Sequence, residues 1–302
     1  MKKIFITLFT LTLLFLLAIN FDYITDAFSN LLRHNRTVII TEPNLYHKNT
    51  YYKFVKQSED YIPYSRQDLV DIFFSILNNG YEKFTFYCPS EYKDCIKDVN
   101  SISSSSSTLT HINNFVDPFN NFSSIKVTYD ETGEITVEVT KSYTEEEIIK
   151  INEKVDEIIN KELNSSMTLE EKILKIHDHI INITKYDQDR LDGIIKYKSN
   201  IAYGPLLEGY GICGGYSDAM AIFLNRWNVP NFKVASNTHI WNAVYINNKW
   251  LHLDLTWDDP VSINSDKNNL IHKFYLIDTE TLESYNIDDH EFDKIIYQEL
   301  LN

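Results

Sequence analysis

Hydrophobic residues crowd the start of the chain: the run from Ile4 to Ile19 carries no charge and follows Lys2 and Lys3. A basic start before an apolar run is an export signal. About 17 residues is the lower limit for a bilayer-spanning helix, and LLAINFDYITDAFSN offers neither a small-x-small cleavage pattern nor a lipidation cysteine. The expectation is an uncleaved signal anchor over 1–20, a single-pass membrane helix with the lysines inside and the C-terminal body extracellular. A cleaved signal peptide and a secreted protein are the alternative.

From 21 to 57 the chain is polar with scattered aromatics and little periodicity, which suits a stalk or linker. Periodicity begins at Ser65. In SRQDLVDIFFSILNNG, Ser65 and Asp68 resemble a capping box, Leu69, Ile72, Phe73, Ile76 and Leu77 recur at helical spacing, and Gly80 ends the helix. FTFYC follows as a strand, Ser90 to Val99 as a helix, and SISSSSST as an exposed loop. Alternation in SIKVTYDETGEITVEVT predicts a β-hairpin turning at Asp130 to Gly133. These elements define a small α+β domain over 58–143.

Thr144 with Glu147 and Thr168 with Glu171 then start two helices, the first carrying Ile148, Ile151, Val155 and Ile158, the second Leu169, Ile173, Ile176 and Ile180. They lead a second domain over 144–302. The HDH of the second helix has the look of a metal site, but residues two apart lie about 200° apart around a helix. His177 and His179 are therefore expected to be structural or surface residues, and no metal is expected.

In GYGICGGYSDAM, Gly209 and Gly211 precede Cys213, and Gly214 and Gly215 follow it. Ala219, Ile222, Phe223 and Trp227 continue at helical spacing, with Pro230 beyond the end. Cys213 is thus expected at or just before a helix N-terminus, where the dipole and free N–H groups favour a thiolate. The glycines are expected to let a substrate backbone approach the sulfur.

A nucleophilic thiol needs a base, and the base needs an orienting partner. THIWNAVYINNKWLHLDLTWDDP reads as a hairpin turning at Asn247 and Asn248, in a register that sets Trp241 opposite Asp254. His239 and Asp254 then share one face as diagonal neighbours. Leu251, Leu253 and Leu255 make the opposite face the core side, so Trp250, His252 and Asp254 point the other way. His252 competes for the role of base. His239 is preferred because Trp241 beside it shields the pair from water, whereas His252 faces Ala243. Asp258, Asp259 and Pro260 look like a turn ending the strand.

The order Cys, His, Asp, with GICGGYSDA, HIWNAV, KWLHLDLTWDDP and the preceding AYGPLLEGYG, resembles the bacterial transglutaminase-like family of the papain-like cysteine protease superfamily, over roughly 168–302. The resemblance implies an α+β transglutaminase-core fold, a helical half with the cysteine packed on an antiparallel sheet. It also implies that Cys213 is the nucleophile, His239 the general base and Asp254 the orienter. Ser217 and Gly214 depart from the residues common there. The backbone N–H of Cys213 and the side chain of Tyr203 are candidate oxyanion donors, and Trp241 and Trp257 candidate cleft walls.

Composition narrows the partners. The 302-residue chain carries a formal charge of −15, which argues against nucleic acid. No P-loop, dinucleotide fingerprint, zinc spacing or EF-hand spacing occurs, so no cofactor is expected. Of three cysteines, Cys88 closes a strand and Cys95 sits in a helix, a context that favours two unrelated thiols over the disulfide an extracellular body would permit. The expected function is a cell-surface thiol enzyme attacking peptide or glutamine amides of a protein, peptide or cell-wall substrate through a thioester. Hydrolysis is favoured over transamidation because the glycines suggest an open cleft. A non-catalytic module binding peptides or cell-wall stems is the alternative.

Overall fold

Thr144 and Thr168 each accept a hydrogen bond from the backbone N–H three residues on, while Glu147 and Glu171 reach back to the N-cap N–H, so both capping boxes close. The structure, a computed structural model, describes all residues except 1, 22, 26, 29–36, 260–269 and 302. In chain order its elements are α1 (Lys2–Ile19), α2 (Arg66–Asn78), β1 (Lys83–Tyr87), α3 (Cys95–Ser104), α4 (Ser106–Asn113), β2 (Phe122–Tyr129), β3 (Glu134–Lys141), α5 (Glu145–Glu162) and α6 (Leu169–Ile183). They continue with β4 (Lys185–Tyr186), α7 (Gln188–Leu191), β5 (Tyr210–Gly211), α8 (Cys213–Arg226), β6 (Asn231–Ala235), β7 (Ile240–Ile246), β8 (Lys249–Leu253), α9 (Leu255–Asp258) and α10 (Thr279–Ser284).

Strands β6, β7 and β8 form an antiparallel sheet in that order, and a second antiparallel sheet has the order β1-β3-β2. The β7–β8 register pairs Ile246 with Lys249 and Ala243 with His252, as the sequence predicts. Asn247 and Asn248 both take positive φ, 52° and 60°, the conformation that a two-residue hairpin turn requires. Asp254 ends the strand by capping α9, so the diagonal pairing extends one residue beyond the ladder.

Both faces of the β6-β7-β8 sheet are buried. On one, Val244, Ile246, Leu253 and Leu255 join the apolar stripes of α5, α6 and α8. On the other, Phe232, Trp241 and Ala243 join α2, β1, β3 and the C-terminal Phe274 and Tyr297. The face expected to lie opposite the core is therefore a second core: Trp250 packs on Phe232 at 4.7 Å, and Trp241 is fully buried.

Several expectations need correction. The serine run is helical, because Ile102, Leu109 and Ile112 bury one side of it and Ser105 caps α4 by accepting from the Thr108 N–H. Tertiary burial thus overrides a composition poor in helix formers. The segment 37–57 lies against the body: Tyr52 and Val55 enter the core, and the Lys53 N–H donates to Glu299 at 2.8 Å. Residues 21, 23–25 and 27–28 of the expected stalk are helical, while 22, 26 and 29–36 lie outside the described residues, as does Pro260 of the expected turn. A membrane helix over 1–20 is not supported, since no helix among the described residues is long and apolar enough to cross a membrane.

Cys88 and Cys95 are joined in a disulfide across a Cα–Cα distance of 5.8 Å. The strand and helix that argued for separate thiols are brought together by a seven-residue separation and a shared core. Replacing both cysteines by serine should lower stability by roughly 2–3 kcal/mol, the loop-closure value for so short a ring. Denaturant unfolding of the double variant against the parent measures it.

Candidate active site

Cys213 is the first residue of α8, with Ile212 in extended conformation as its N-cap. The approach is fixed by the parallel pair β4–β5, which sets Tyr186 beside Gly211, and by the Ile212 N–H, which donates to the Ser199 carbonyl at 2.8 Å. A Cβ on Gly215 would run into that same carbonyl oxygen, and one on Gly214 would meet the Asn200 carbonyl at 2.9 Å. The expected room around the sulfur is thus occupied by the chain's own 199–200 backbone on one side. The glycines seat this loop against the helix start.

Two ties hold α8 to β7. Ser217 Oγ donates to the carbonyls of Cys213 and Ile240, at 2.8 and 3.1 Å, and Asn242 Nδ2 donates to the Ser217 carbonyl at 3.0 Å. The serine that departs from the family pattern therefore links the turn bearing Cys213 to the strand that follows His239. Cys213 is a half-buried free thiol, and it shares a cavity of about 360 Å³ with His239.

His239 Nε2 donates to Asp254 Oδ2 at 2.6 Å, which leaves Nδ1 for the thiol. Burial alone would lower the His239 pKa, but the Asp254 carboxylate, its hydrogen bond and the nearby Cys213 outweigh it and push the ring up to about 10. For Asp254, burial works upward, and the charge of His239 with hydrogen bonds from His239 and His290 overcomes it. The carboxyl is held well below the usual carboxylate range. Asp254 Oδ1 meanwhile accepts from the N–H groups of Thr256 and Trp257, at 2.9 and 3.2 Å.

His252 is excluded as the base by its own partners. Its Nδ1 accepts from Trp241 Nε1 at 2.9 Å, so Nε2 carries the proton and donates to Thr279 Oγ1 at 3.0 Å. Burial keeps this ring neutral, with its pKa lowered to about 3. Trp241 stacks on His239 at 5.7 Å and 14°, a packing role beneath the ring. Trp257 is half-buried against Phe274 and His290, at 5.6 and 5.1 Å.

Lys198 Nζ lies 5.7 Å from the Tyr203 ring, and neither Tyr203 nor Tyr186 is among the residues that line the Cys213 cavity. Tyr186 is the tyrosine that feels the thiol: burial first, then the charge of Cys213 and of Asp254, raise it to about 12. No local pattern marks it, because the two-residue strand that holds it beside Gly211 exists only through that distant pairing.

His290 is the other residue that sequence reasoning missed. Its Nε2 donates to Asp254 Oδ2 at 2.8 Å, and the ring stacks on Phe274 at 4.9 Å. Ligating atoms of His239, Asp254 and His290 lie within 4.8 Å of one another, as do those of His177, Asp178 and His272. In the first group the short contacts are hydrogen bonds to one oxygen. In the second, His177 bridges Asp178 and Asp258 at 2.9 and 3.2 Å, while His179 turns to Glu162 at 3.3 Å.

No family model and no curated protein matches the chain. Among solved structures, a transglutaminase aligns over 47% of this chain and 46% of its own, at 15% identity and a TM-score of 0.35. A proposed cysteine protease from Cytophaga hutchinsonii aligns over 49% of this chain and 64% of its own, at 15% identity and a TM-score of 0.29. The chain thus spans less than two thirds of either.

The raised His239 pKa fixes the sign of a pH effect. Stabilisation by the imidazolium is complete below the ordinary histidine pKa of about 6.5 and is lost as pH rises through about 10. Ring NMR of His239 should show protonation persisting through neutral pH and ending near 10. In Asp254→Ala, removal of the main charge partner should bring the transition down towards the ordinary range.

Proposed function

We propose that the chain is an exported thiol enzyme that attacks peptide or glutamine amides through Cys213. One observation carries the reading: His239 is bound at Nε2 by a buried carboxylate, which leaves Nδ1 outside that bond, and it lines one cavity with a thiol at a helix N-terminus. This arrangement supports a thiolate–imidazolium pair, in which the sulfur attacks the amide carbon and the His239 imidazolium gives its proton to the departing amine. Water, deprotonated by the neutral ring, then cleaves the thioester. The Cys88–Cys95 disulfide supports a compartment outside the reducing cytoplasm.

Hydrolysis is the preferred outcome over amine transfer. Transfer demands a site that excludes water, and the tryptophans able to roof such a channel are used elsewhere. Trp241 lies in the core with Phe232, Trp250 packs against that core, and Trp257 is held against Phe274 and His290. The test incubates the protein with a glutamine peptide and millimolar primary amine and follows both products by mass spectrometry, with Cys213→Ala as control. Free glutamate product should exceed amine adduct, and neither should form in the control. Adduct in excess would make this a cross-linking enzyme. Iodoacetamide should modify the native protein at Cys213 alone, and more slowly in His239→Ala.

For the oxyanion, the reading joins the free N–H of Cys213 to the Tyr186 hydroxyl, which stays protonated and able to donate at neutral pH. Tyr186→Phe should reduce kcat by about 100-fold, the loss typical of one oxyanion donor. Tyr203→Phe should leave it near the parent value. The opposite ranking would restore Tyr203.

A further inference from the structure

The serine-rich helix α4 stands over the seam where the cysteine helix meets the histidine strand. Two cavities of about 360 and 370 Å³ adjoin there, the first holding Cys213 and His239, the second Gly214 and Asn200. Each is within the size of a small-ligand pocket, about 300–1,000 Å³. Ser106, Thr110 and Ile240 line both. Ser106, Thr110 and Asn113 are spaced i, i+4 and i+7, so one face of α4 runs along the two cavities.

This wall is fixed in place. The Tyr297 hydroxyl accepts from Asn114 Nδ2 and the Ala235 N–H, at 2.7 and 3.1 Å, and lies 2.8 Å from His111 Nδ1, to which it donates. It thereby joins the end of α4 to the end of β6, immediately before the loop leading to His239. The Lys233 N–H adds a bond to the Asn114 carbonyl at 2.8 Å.

The lining is polar and electrically balanced. Ser106 and Ser107 are exposed, and Thr110 is half-buried. Across from them, Ser236, Asn237 and Thr238 continue the hydroxyl and amide surface. The two charges at the second cavity, Lys233 and Asp218, are buried and neutralise each other at 2.6 Å. Tyr143 and Asn121 also donate to Asp218, at 2.8 and 3.2 Å. Asn113 is 8% exposed, and its Oδ1 is buried without a hydrogen-bond partner.

We propose that α4 is the substrate-binding wall of this site and that the acyl donor is an uncharged, polar peptide strand lying between the Ser106–Thr110–Asn113 face and the Cys213–Gly214 turn. The inference rests on Cys213 being the nucleophile. A peptide fits because the reacting group is an amide and the space extends to both sides of the helix start. Charged side chains near the amide would lose water in these cavities without finding an ionic partner.

The test uses three tripeptide chloromethyl ketones, rich in serine and asparagine, in lysine, or in glutamate. Each alkylates the thiolate by forming a C–S bond and expelling chloride. The rate of Cys213 modification by each, followed by mass spectrometry, is divided by the iodoacetamide rate on the same protein, which removes differences in thiol reactivity. The neutral probe should exceed both charged ones by about tenfold, the low end of what a binding pocket discriminates. The lysine probe is the stern comparison, since the charge of −15 draws cations to the protein. Ser106→Arg, at an exposed position, should shift preference towards the glutamate probe. Equal normalised rates, or a preference unmoved in Ser106→Arg, would overturn the binding wall while leaving the thiol enzyme standing. An iodoacetamide rate at Cys213 no faster than in His239→Ala would instead remove the enzyme reading on which it rests.

Discussion

The carboxylate of Asp254 is the interaction on which the site depends. It is buried, and its two oxygens accept four hydrogen bonds: from His239 and His290 at Oδ2, and from the Thr256 and Trp257 N–H groups at Oδ1. A buried carboxylate is tolerable only when so satisfied. The side chain that orients the imidazole therefore also ends β8 and starts α9. Chemistry and chain direction share one residue, which ties the ring to the local backbone as well as to its charge partner.

That coupling extends outward through the aromatic core. Trp241 lies under His239 and binds His252, which is bridged to Ile277 by backbone bonds in both directions, at 2.7 and 3.0 Å. Phe274 stacks on His290, and its own N–H donates to Asp258 at 2.9 Å. The C-terminal tail is thus packed behind the histidine. The small N-terminal sheet and α2 close the same core from the far side. A three-stranded sheet is a thin platform for a site that needs sub-ångström placement. Cores on both faces supply the rigidity that its size does not.

Much of the local structure was legible. The capping boxes at Thr144 and Thr168 and the apolar stripes behind them are short-range patterns, and the Asn247-Asn248 turn fixed the hairpin register by itself. That register put His239 and Asp254 within reach of each other. What escaped were contacts made across long separations. The face of the sheet bearing Trp250 and His252 is not legible as a second core because its cover, Tyr52, Phe115 and Tyr297, is remote in the chain. SISSSSST read as loop because serine is indifferent to helix in isolation, and only the burial of Ile102, Leu109 and Ile112 decides it. The glycines beside Cys213 were legible as a demand for space, but sequence does not say what fills it, and here it is the Ser199 and Asn200 backbone. His290 gave no local signal, since its partner lies 36 residues away.

The double duty of Asp254 changes what an isosteric substitution there would do. An asparagine has one acceptor oxygen and one donor amide. If its oxygen keeps the helix cap, its NH₂ faces the Nε2 atoms of His239 and His290, and both rings must change tautomer to accept from it. The His239 proton then moves to Nδ1, the nitrogen meant to receive the thiol proton, and the base is lost. His290 fares no better. Its Nδ1 is buried without a partner, so a proton placed there would be an unsatisfied donor costing about 1–3 kcal/mol. If instead the oxygen turns to the histidines, the NH₂ meets the N–H groups of Thr256 and Trp257, and α9 loses its cap, worth about 1 kcal/mol. Neither orientation serves both ends. The carboxylate is required because four donors converge on it, so a loss of activity in that variant has to be read beside its stability before it is assigned to ring orientation.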